Sequence, residues 1–199
     1  MMKDMICHYD LLIEENNDPV RDPAELQAYM DQWDGALFMK ALELDGTQSG
    51  LEIGVGTGRL AMRTAPCCRC FTGIDLSPKT IARAGENLAH LSNVKLMCGD
   101  FLTAEFEHPF DVIYSSLTFM HISRKQEAIN KIVALLSSGG RVVLSLDKGQ
   151  ENWINYGTRK IRVYPDDPQT MTSWMEQAGL DNLSTTETSF AHIIKAGRR

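Results

Sequence analysis

The chain has 199 residues, 43% of them hydrophobic, and a formal net charge of −6 from 20 Lys and Arg against 26 Asp and Glu. A chain of this length can bury a core in one domain without disulfides or a structural metal. The acidic charge disfavours nucleic acid as a partner, and no segment approaches the ~20 apolar residues of a membrane span. The five cysteines, an odd number, do not suggest a secreted disulfide framework, and residues 1–17 lack the apolar block of a signal peptide, so we expect a cytoplasmic protein.

The first predicted element is a helix over residues 23–44, where apolar residues recur at helical spacing and Gly46 follows as a stop signal. We interpret residues 1–46 as a helical lead-in or lid to a single domain, residues 1–199. In this segment Trp33 is expected to pack in the core, whereas the role of Tyr9 is open.

Short apolar strands and helices alternate through the rest of the chain. The predicted strands cover residues 49–54, 70–75, 94–98, 110–115, 141–146, 183–189 and 191–196. The predicted helices cover residues 59–64, 78–91, 124–136 and 168–179, with Gly139 and Gly140 ending the third, and residues 147–167 are predicted as a loop. This order predicts a doubly wound, mostly parallel α/β sheet, with an antiparallel C-terminal hairpin because no helix separates the last two strands.

A glycine-rich turn follows the first strand, with the sequence E-I-G-V-G-T-G-R at residues 52–59. Ligands of open α/β sheets bind outside the carboxyl ends of the strands, and glycines let the backbone approach them closely. Arg59 stands where the dinucleotide fingerprint G-x-G-x-x-G has its third glycine, which disfavours NAD or FAD. A tight connection without a ligand is the alternative interpretation.

Acidic residues end the next two strands. Asp75 could accept hydrogen bonds from both hydroxyls of a ribose, or it could cap the helix that begins after Ser77. Asp100 and Phe101, after Gly99, could bind a purine through a carboxylate and an aromatic face, or they could be a turn residue and a core residue.

Together these motifs resemble the class I S-adenosylmethionine-dependent methyltransferases. The similar segments are E-x-G-x-G-x-G at 52–58, the acid at Asp75, G-D-F at 99–101, F-D-V-I-Y-S-S-L-T-F-M-H at 110–121 and L-L-S-S-G-G-R-V-V-L at 135–144. The resemblance extends over residues 49–197. It implies a Rossmann-like methyltransferase fold with a seven-stranded sheet whose last strand is reversed, and S-adenosyl-L-methionine as the cofactor.

The resemblance also implies cofactor-binding roles for particular residues. The methionine part would lie against Gly54, Val55, Gly56 and Gly58, with Glu52 supporting the turn and the amino group, and Ser115 and Ser116 beside it. Asp75 would hold the ribose. The adenine would lie between Leu76 on one side and Gly99, Asp100 and Phe101 on the other.

The implied reaction is in-line displacement of the methyl group from sulfur onto an acceptor. His121 is the candidate general base because a neutral imidazole accepts protons near neutral pH, although a packing role in the loop is the alternative. The sequence has S-S-L-T at 115–118 in place of the N/D-P-P-Y motif of enzymes that methylate amino groups of nucleic acids and proteins, so methylation of bases or of glutamine is disfavoured. The acidic charge and the lack of an appended nucleic-acid-binding domain lead us to expect a small-molecule acceptor. We expect the aromatic residues Trp153, Tyr156 and Tyr164 to form its walls.

Two other functions remain open, an NAD(P)-binding reductase and a protein that binds adenosylmethionine without transferring its methyl group. No metal site is predicted, because the C-C-x-C spacing at residues 67–70 matches no zinc pair. The sequence makes no prediction about the oligomeric state.

Overall fold

The computed structural model describes residues 2–199, and its strands lie in two sheets. The larger sheet has seven strands in the order β3-β2-β1-β4-β5-β9-β8, and a separate hairpin pairs β6 with β7. The strands are β1 (Ser49–Ile53), β2 (Cys70–Asp75), β3 (Val94–Cys98), β4 (Phe110–Ser116), β5 (Leu136–Asp147), β6 (Trp153–Tyr156), β7 (Arg159–Arg162), β8 (Leu180–Glu187) and β9 (Ala191–Arg198).

Seven α-helices accompany these strands within the same residues. They are α1 (Met2–Glu14), α2 (Ala24–Asp34), α3 (Ala36–Leu42), α4 (Ala61–Thr64), α5 (Pro78–Asn87), α6 (Lys125–Leu135) and α7 (Pro168–Gln177). A 3₁₀ turn, Phe119–His121, lies between β4 and α6.

The sheet reverses its strand order between β1 and β4. From β1 the chain moves outward to β2 and β3, and then crosses to the other side of β1 for β4 and β5. These five strands are parallel, whereas β9 is antiparallel to both β5 and β8. The predicted doubly wound sheet and C-terminal hairpin are therefore confirmed, and the carboxyl ends of β1 and β4 lie side by side where ligands of such sheets bind.

Apolar layers cover both faces of the sheet. Successive residues of a strand point to opposite faces, so Val112 and Tyr114 pack in the layer that contains Phe38 of α3. Ile113 packs in the other layer, which contains Ile129 of α6. Burial on both faces explains the continuous apolar runs of the central strands.

The first predicted helix and the one after β2 differ from the structure. The single helix predicted over residues 23–44 is broken at Gly35 into α2 and α3, and a Cβ at Gly35 would lie 2.6 Å from the Asp31 carbonyl oxygen. The chain then leaves α3 at Glu43, which has a left-handed conformation, before Gly46. The helix predicted over residues 78–91 ends earlier, at Asn87.

The region around β5 also differs. The helix predicted to end at Gly139 and Gly140 stops at Leu135, because Leu136 already pairs with Phe110 of β4 as the first residue of β5. The register then shifts between Phe110 and Val112, so both glycines lie within the irregular start of this strand. The predicted loop at 147–167 contains the β6–β7 hairpin, which was not predicted.

Candidate functional site

A cavity of about 390 Å³ opens at the carboxyl ends of β1, β2, β3 and β4, beneath α1. It brings together most of the residues that the sequence analysis selected. Those on its wall are Glu52, Gly54, Val55, Gly56, Asp75, Leu76, Gly99, Asp100, Phe101, Ser116 and His121. Gly58 and Ser115 do not line it: a Cβ at Gly58 would meet Leu88, just after α5, at 3.1 Å, and the Ser115 hydroxyl donates to the Ile53 carbonyl at 2.8 Å.

The glycine turn after β1 needs residues without a side chain at two cavity positions. Gly54 has φ +78°, and a Cβ there would lie 2.0 Å from Oγ1 of Thr118, in the loop after β4. Gly56 has φ +56°, and a Cβ there would meet no other atom within 4 Å. The first glycine is thus required by close packing against the protein, and the second leaves the backbone open to a ligand.

Asp75 ends β2 beside this turn, and both of its carboxylate oxygens accept backbone hydrogen bonds. Gly56 N–H donates to Oδ2 and Ser77 N–H donates to Oδ1, each at 3.0 Å. Burial raises the pKa of Asp75, while these hydrogen bonds oppose that rise. A carboxylate oxygen has two lone pairs, so Asp75 retains acceptor capacity toward the cavity.

Glu52 is a buried carboxyl at the base of the cavity, with 3% of its surface exposed. The Tyr114 hydroxyl donates to its Oε2 at 2.9 Å and also contacts the Thr64 hydroxyl at 2.6 Å. Burial raises the pKa of Glu52 to about 8, and the hydrogen bond from Tyr114 and the charge of Arg59 only partly offset this effect. Near neutral pH the unliganded site therefore holds Glu52 largely protonated.

A second polar group, not selected from the sequence, ties α2 to the cavity. Asp34, at the end of α2, is fully buried, and its Oδ2 accepts a 2.6 Å hydrogen bond from Ser116 and pairs with the Arg59 guanidinium. Arg59 and Ser116 both line the cavity. From the sequence, Arg59 only disfavours a dinucleotide, because no local signal indicates its partner 25 residues earlier.

The third strand contributes a carboxylate and an aromatic ring. The Oδ1 of Asp100 accepts a 2.9 Å hydrogen bond from the Leu102 N–H, which fixes the turn after Gly99. Phe101 is 5% exposed and packs near Phe106, with the Lys131 ammonium 5.4 Å from its ring centre. Asp100 is thus a turn residue and Phe101 a core residue, as the alternative interpretation held, and both also line the cavity.

His121 also lines the cavity, where it contacts α1. The Tyr9 hydroxyl and His121 Nε2 are 2.8 Å apart, and the two rings meet edge to face. Burial, together with the nearby charges of Lys125 and His8, lowers the pKa of His121 to about 4, and burial raises the pKa of Tyr9. Both side chains are therefore neutral near pH 7.

Helix α1 covers the cavity through Met5, Tyr9 and Leu12, and polar contacts hold its C-terminal half. The Asp10 carboxylate accepts from the Ser77 hydroxyl at 2.7 Å and from the Lys79 N–H at 3.1 Å, at the start of α5. Just after α1, Glu15 pairs with Arg159 of β7 at 2.6 Å. These contacts hold the C-terminal half of α1 over the cavity.

The remaining predicted wall residues divide between the cavity and the surface. Tyr156 lines the cavity and packs on His8 with ring centres 4.6 Å apart, whereas Trp153 and Tyr164 flank the Arg162 guanidinium outside the cavity. Trp33, predicted to pack in the core, is half-buried and stacks on Phe190 with ring centres 4.6 Å apart, outside the two core layers. The cavity is also lined by apolar residues that were not predicted from the sequence to be part of a site: Met5, Leu12, Met30, Met120 and Ile154.

Two other kinds of feature are absent from residues 2–199. No group of three or more His, Cys, Asp or Glu side chains in this range could hold a metal ion. None of the helices described there is long and apolar enough to cross a membrane.

Comparison with known proteins gives a family match and close structural matches. Residues 51–140 match the model of a family described as a methyltransferase domain. An uncharacterized methyltransferase of Anoxybacillus flavithermus is 35% identical over 124 residues, which are 60% of this chain and 57% of that protein. The chain spans less than two thirds of the length of the curated relatives it matches.

Two solved structures superpose over almost the whole chain. The complex of DhpI with SAH has a TM-score of 0.78 at 17% identity, covering 99% of this chain and 96% of that one. The [4+2]-cyclase SpnF has a TM-score of 0.74 at 18% identity, covering 100% and 97%. These likenesses define the fold as Rossmann-like, of the type that methyltransferases share.

With the domain match over residues 51–140 and the curated relative, about half of the chain is similar to methyltransferases. This similarity does not by itself fix the reaction, because one fold supports different chemistries.

Proposed function

We propose that this protein transfers the methyl group of S-adenosyl-L-methionine to a small-molecule acceptor by in-line displacement. The observation that carries the proposal is one continuous cavity that joins the glycine turn and the strand-end acids to the Tyr9–His121 pair. This arrangement supports a cofactor site and a proton-transfer site within one cavity.

The residues of the strand ends fit this cofactor in type and position. Asp75 has free acceptor capacity for the ribose hydroxyls, and Leu76 and Phe101 offer apolar surface to an adenine. The open backbone at Gly56 suits the methionine part, and the Arg59 guanidinium on the same wall could pair with its carboxylate. A cation beside Glu52 would favour the ionised form of that buried carboxyl.

When bound, the cofactor supplies a methyl group on a positively charged sulfur. The chain's contribution is then mainly to hold the acceptor in line with that methyl, an effect worth up to ~7–11 kcal/mol in intramolecular reactions. His121 would accept the acceptor's proton. Its lowered pKa suits a transfer that occurs late, once the methylated acceptor has become strongly acidic.

We propose that α1 acts as a lid over this site. It covers the cavity through Met5, Tyr9 and Leu12, and its polar contacts with α5 and β7 are few enough to open reversibly. Closure would exclude water from the reacting groups.

Several features support a small acceptor rather than nucleic acid. The formal charge of −6 repels phosphate. The cavity wall also includes the apolar residues Met5, Met30, Met120 and Ile154. All five cysteines are free thiols, which fits a cytoplasmic location.

The test is calorimetric titration of the purified protein with S-adenosyl-L-methionine, S-adenosylhomocysteine and NADH, followed by an acceptor screen with labelled methyl. We expect the first two ligands to bind and NADH not to bind. Binding of NADH alone would overturn the proposal in favour of a reductase. Cofactor binding without transfer to any acceptor in the screen would favour a non-catalytic adenosylmethionine-binding protein.

A further inference from the structure

A buried ion pair lies behind the turn that carries His121. The Lys125 ammonium, at the start of α6, pairs with the Asp166 carboxylate, and the two residues are 8% and 3% exposed. The same ammonium donates a 2.7 Å hydrogen bond to the carbonyl of Phe119, the first residue of the turn. Neither side chain is on the cavity wall, so the pair does not serve as a binding surface for a ligand there.

A second contact fixes the same turn from the same side. The Tyr164 N–H donates a 2.7 Å hydrogen bond to the carbonyl of Met120, the middle residue of the turn. The segment after β7 thus holds the first two residues of the turn, one through the ion pair and one through the backbone. The third residue, His121, points to the cavity and to Tyr9.

The energetics of the pair indicate a role beyond stabilising the fold. Burial lowers the pKa of Lys125 and raises that of Asp166, as expected for two charges removed from water. Apolar residues of similar size often stabilise a fold as well as a buried ion pair does, or better. The directional bond to Phe119, which an apolar pair could not make, is what this pair adds.

We propose that Lys125 and Asp166 are positioning residues for His121, and that they fix the Phe119–His121 turn so that the imidazole meets Tyr9 in one orientation. The inference rests on the proposed function, since it is that function which gives His121 a proton to accept. The orientation itself can be measured without an acceptor.

The titratable side chains around His121 determine how its pKa should change in a variant. Tyr9 and His8 approach from α1 and Lys125 from α6, and Asp166 lies behind Lys125 in the segment after β7. Burial is the main cause of the low pKa of His121, and the Lys125 charge is the next. Removing Lys125 and Asp166 together should therefore raise the pKa of His121 and release its orientation.

The experiment is NMR of the imidazole nitrogens in the ¹⁵N-labelled full chain, titrated with acid, with His121 assigned by loss of its signals in His121→Gln. In the unaltered protein we expect one neutral tautomer and a pKa near 4. In the double variant Lys125→Met/Asp166→Leu we expect a mixture of tautomers and roughly a tenfold gain in proton affinity.

A matched control exists on the surface. Lys148 there pairs with Glu187 at 3.0 Å and donates to the Thr188 carbonyl at 2.8 Å, the same arrangement of ammonium, carboxylate and carbonyl. The double variant Lys148→Met/Glu187→Gln should leave the tautomer and the pKa of His121 unchanged. If the buried double variant behaves like this control, Lys125 and Asp166 are structural only and the inference is wrong.

A second variant covers the case in which the apolar pair does not fold. Lys125→Gln/Asp166→Asn removes both charges but keeps polar groups, so it should raise the proton affinity of His121 with less loss of the single tautomer. An unchanged proton affinity in this folded variant also overturns the inference. Calorimetry with S-adenosylhomocysteine separates the positioning role from the proposed function. The variants should bind this ligand as tightly as the unaltered protein does. If the unaltered protein does not bind it, the proposed function is wrong.

Discussion

Glu52 makes a prediction about stability that follows directly from its burial. Its pKa is about 8 in the fold against an ordinary value of 4.5, so the folded protein keeps a proton that the unfolded chain releases. The free energy of unfolding should therefore fall as pH rises from about 4.5 to about 8, and the full cost is present above that range. At 1.36 kcal/mol for each pKa unit, the cost is about 5 kcal/mol.

Glu52→Gln removes the ionisation but keeps an oxygen that can accept the Tyr114 hydrogen bond. Urea unfolding of both proteins at about pH 5 and about pH 9 measures the effect. Relative to the unaltered protein, the variant should be more stable at about pH 9 than at about pH 5 by about 4 kcal/mol, because a small part of the cost is already present at pH 5. Glu127→Gln, at an exposed carboxylate paired with Arg124, is the control and should show no comparable gain.

If the stability difference between Glu52→Gln and the unaltered protein does not change with pH, burial does not raise the pKa of Glu52 in the fold. A linked result is expected on binding, because a cationic ligand beside Glu52 should expel its proton near neutral pH. Calorimetry with S-adenosyl-L-methionine in buffers of different ionisation enthalpy should detect this proton, and Glu52→Gln should abolish its release.

Three further predictions concern the turn, the ribose site and the lid. Gly54→Ala should destabilise the fold by about 1–3 kcal/mol more than Gly56→Ala. Both variants place an alanine in a left-handed conformation, but only the first collides with Thr118. Equal losses of stability in urea unfolding would show that the contact with Thr118 relaxes freely. Asp75→Asn should weaken S-adenosylhomocysteine binding about 10- to 100-fold, as measured by calorimetry. The control Asp181→Asn, at a surface pair with Arg199, should not weaken it. If Asp75→Asn binds as tightly as the unaltered protein, Asp75 is not part of the binding site. Tyr9→Phe removes the hydrogen bond to His121, so amide exchange in α1 should become about fivefold faster. Tyr29→Phe, at an exposed tyrosine of α2, is the control. Unchanged exchange in Tyr9→Phe would mean that this hydrogen bond does not hold α1 over the cavity.

The elements that could be predicted from the sequence are those whose signals are local. Strands β2 and β3 have the predicted bounds, because short apolar runs end in a turn or an acid within a few residues. The glycine turn and Asp75 follow from the same logic, since the topology of a parallel sheet brings the carboxyl ends of its strands to one edge.

The failures arise where distant residues decide the local structure. Leu136 continues the apolar pattern of α6, and only its pairing with Phe110 turns it into the start of β5. The contact between Tyr9 and His121 spans 112 positions, and that between Asp34 and Ser116 spans 82. No spacing rule along the sequence could have found either pair.

The walls of the cavity come from two kinds of element. The strand ends and one glycine turn, which suit the cofactor in the proposed function, have positions that the sheet itself fixes. Helix α1 and the β6–β7 hairpin contribute Met5, Tyr9, Ile154 and Tyr156, which would face the acceptor in the proposed function. Since these elements lie outside the main sheet, their residues can change without disturbing its register. Under the proposed function, exchanging residues of α1 and the hairpin, rather than those of the strands, is therefore the way to alter which acceptor the protein takes.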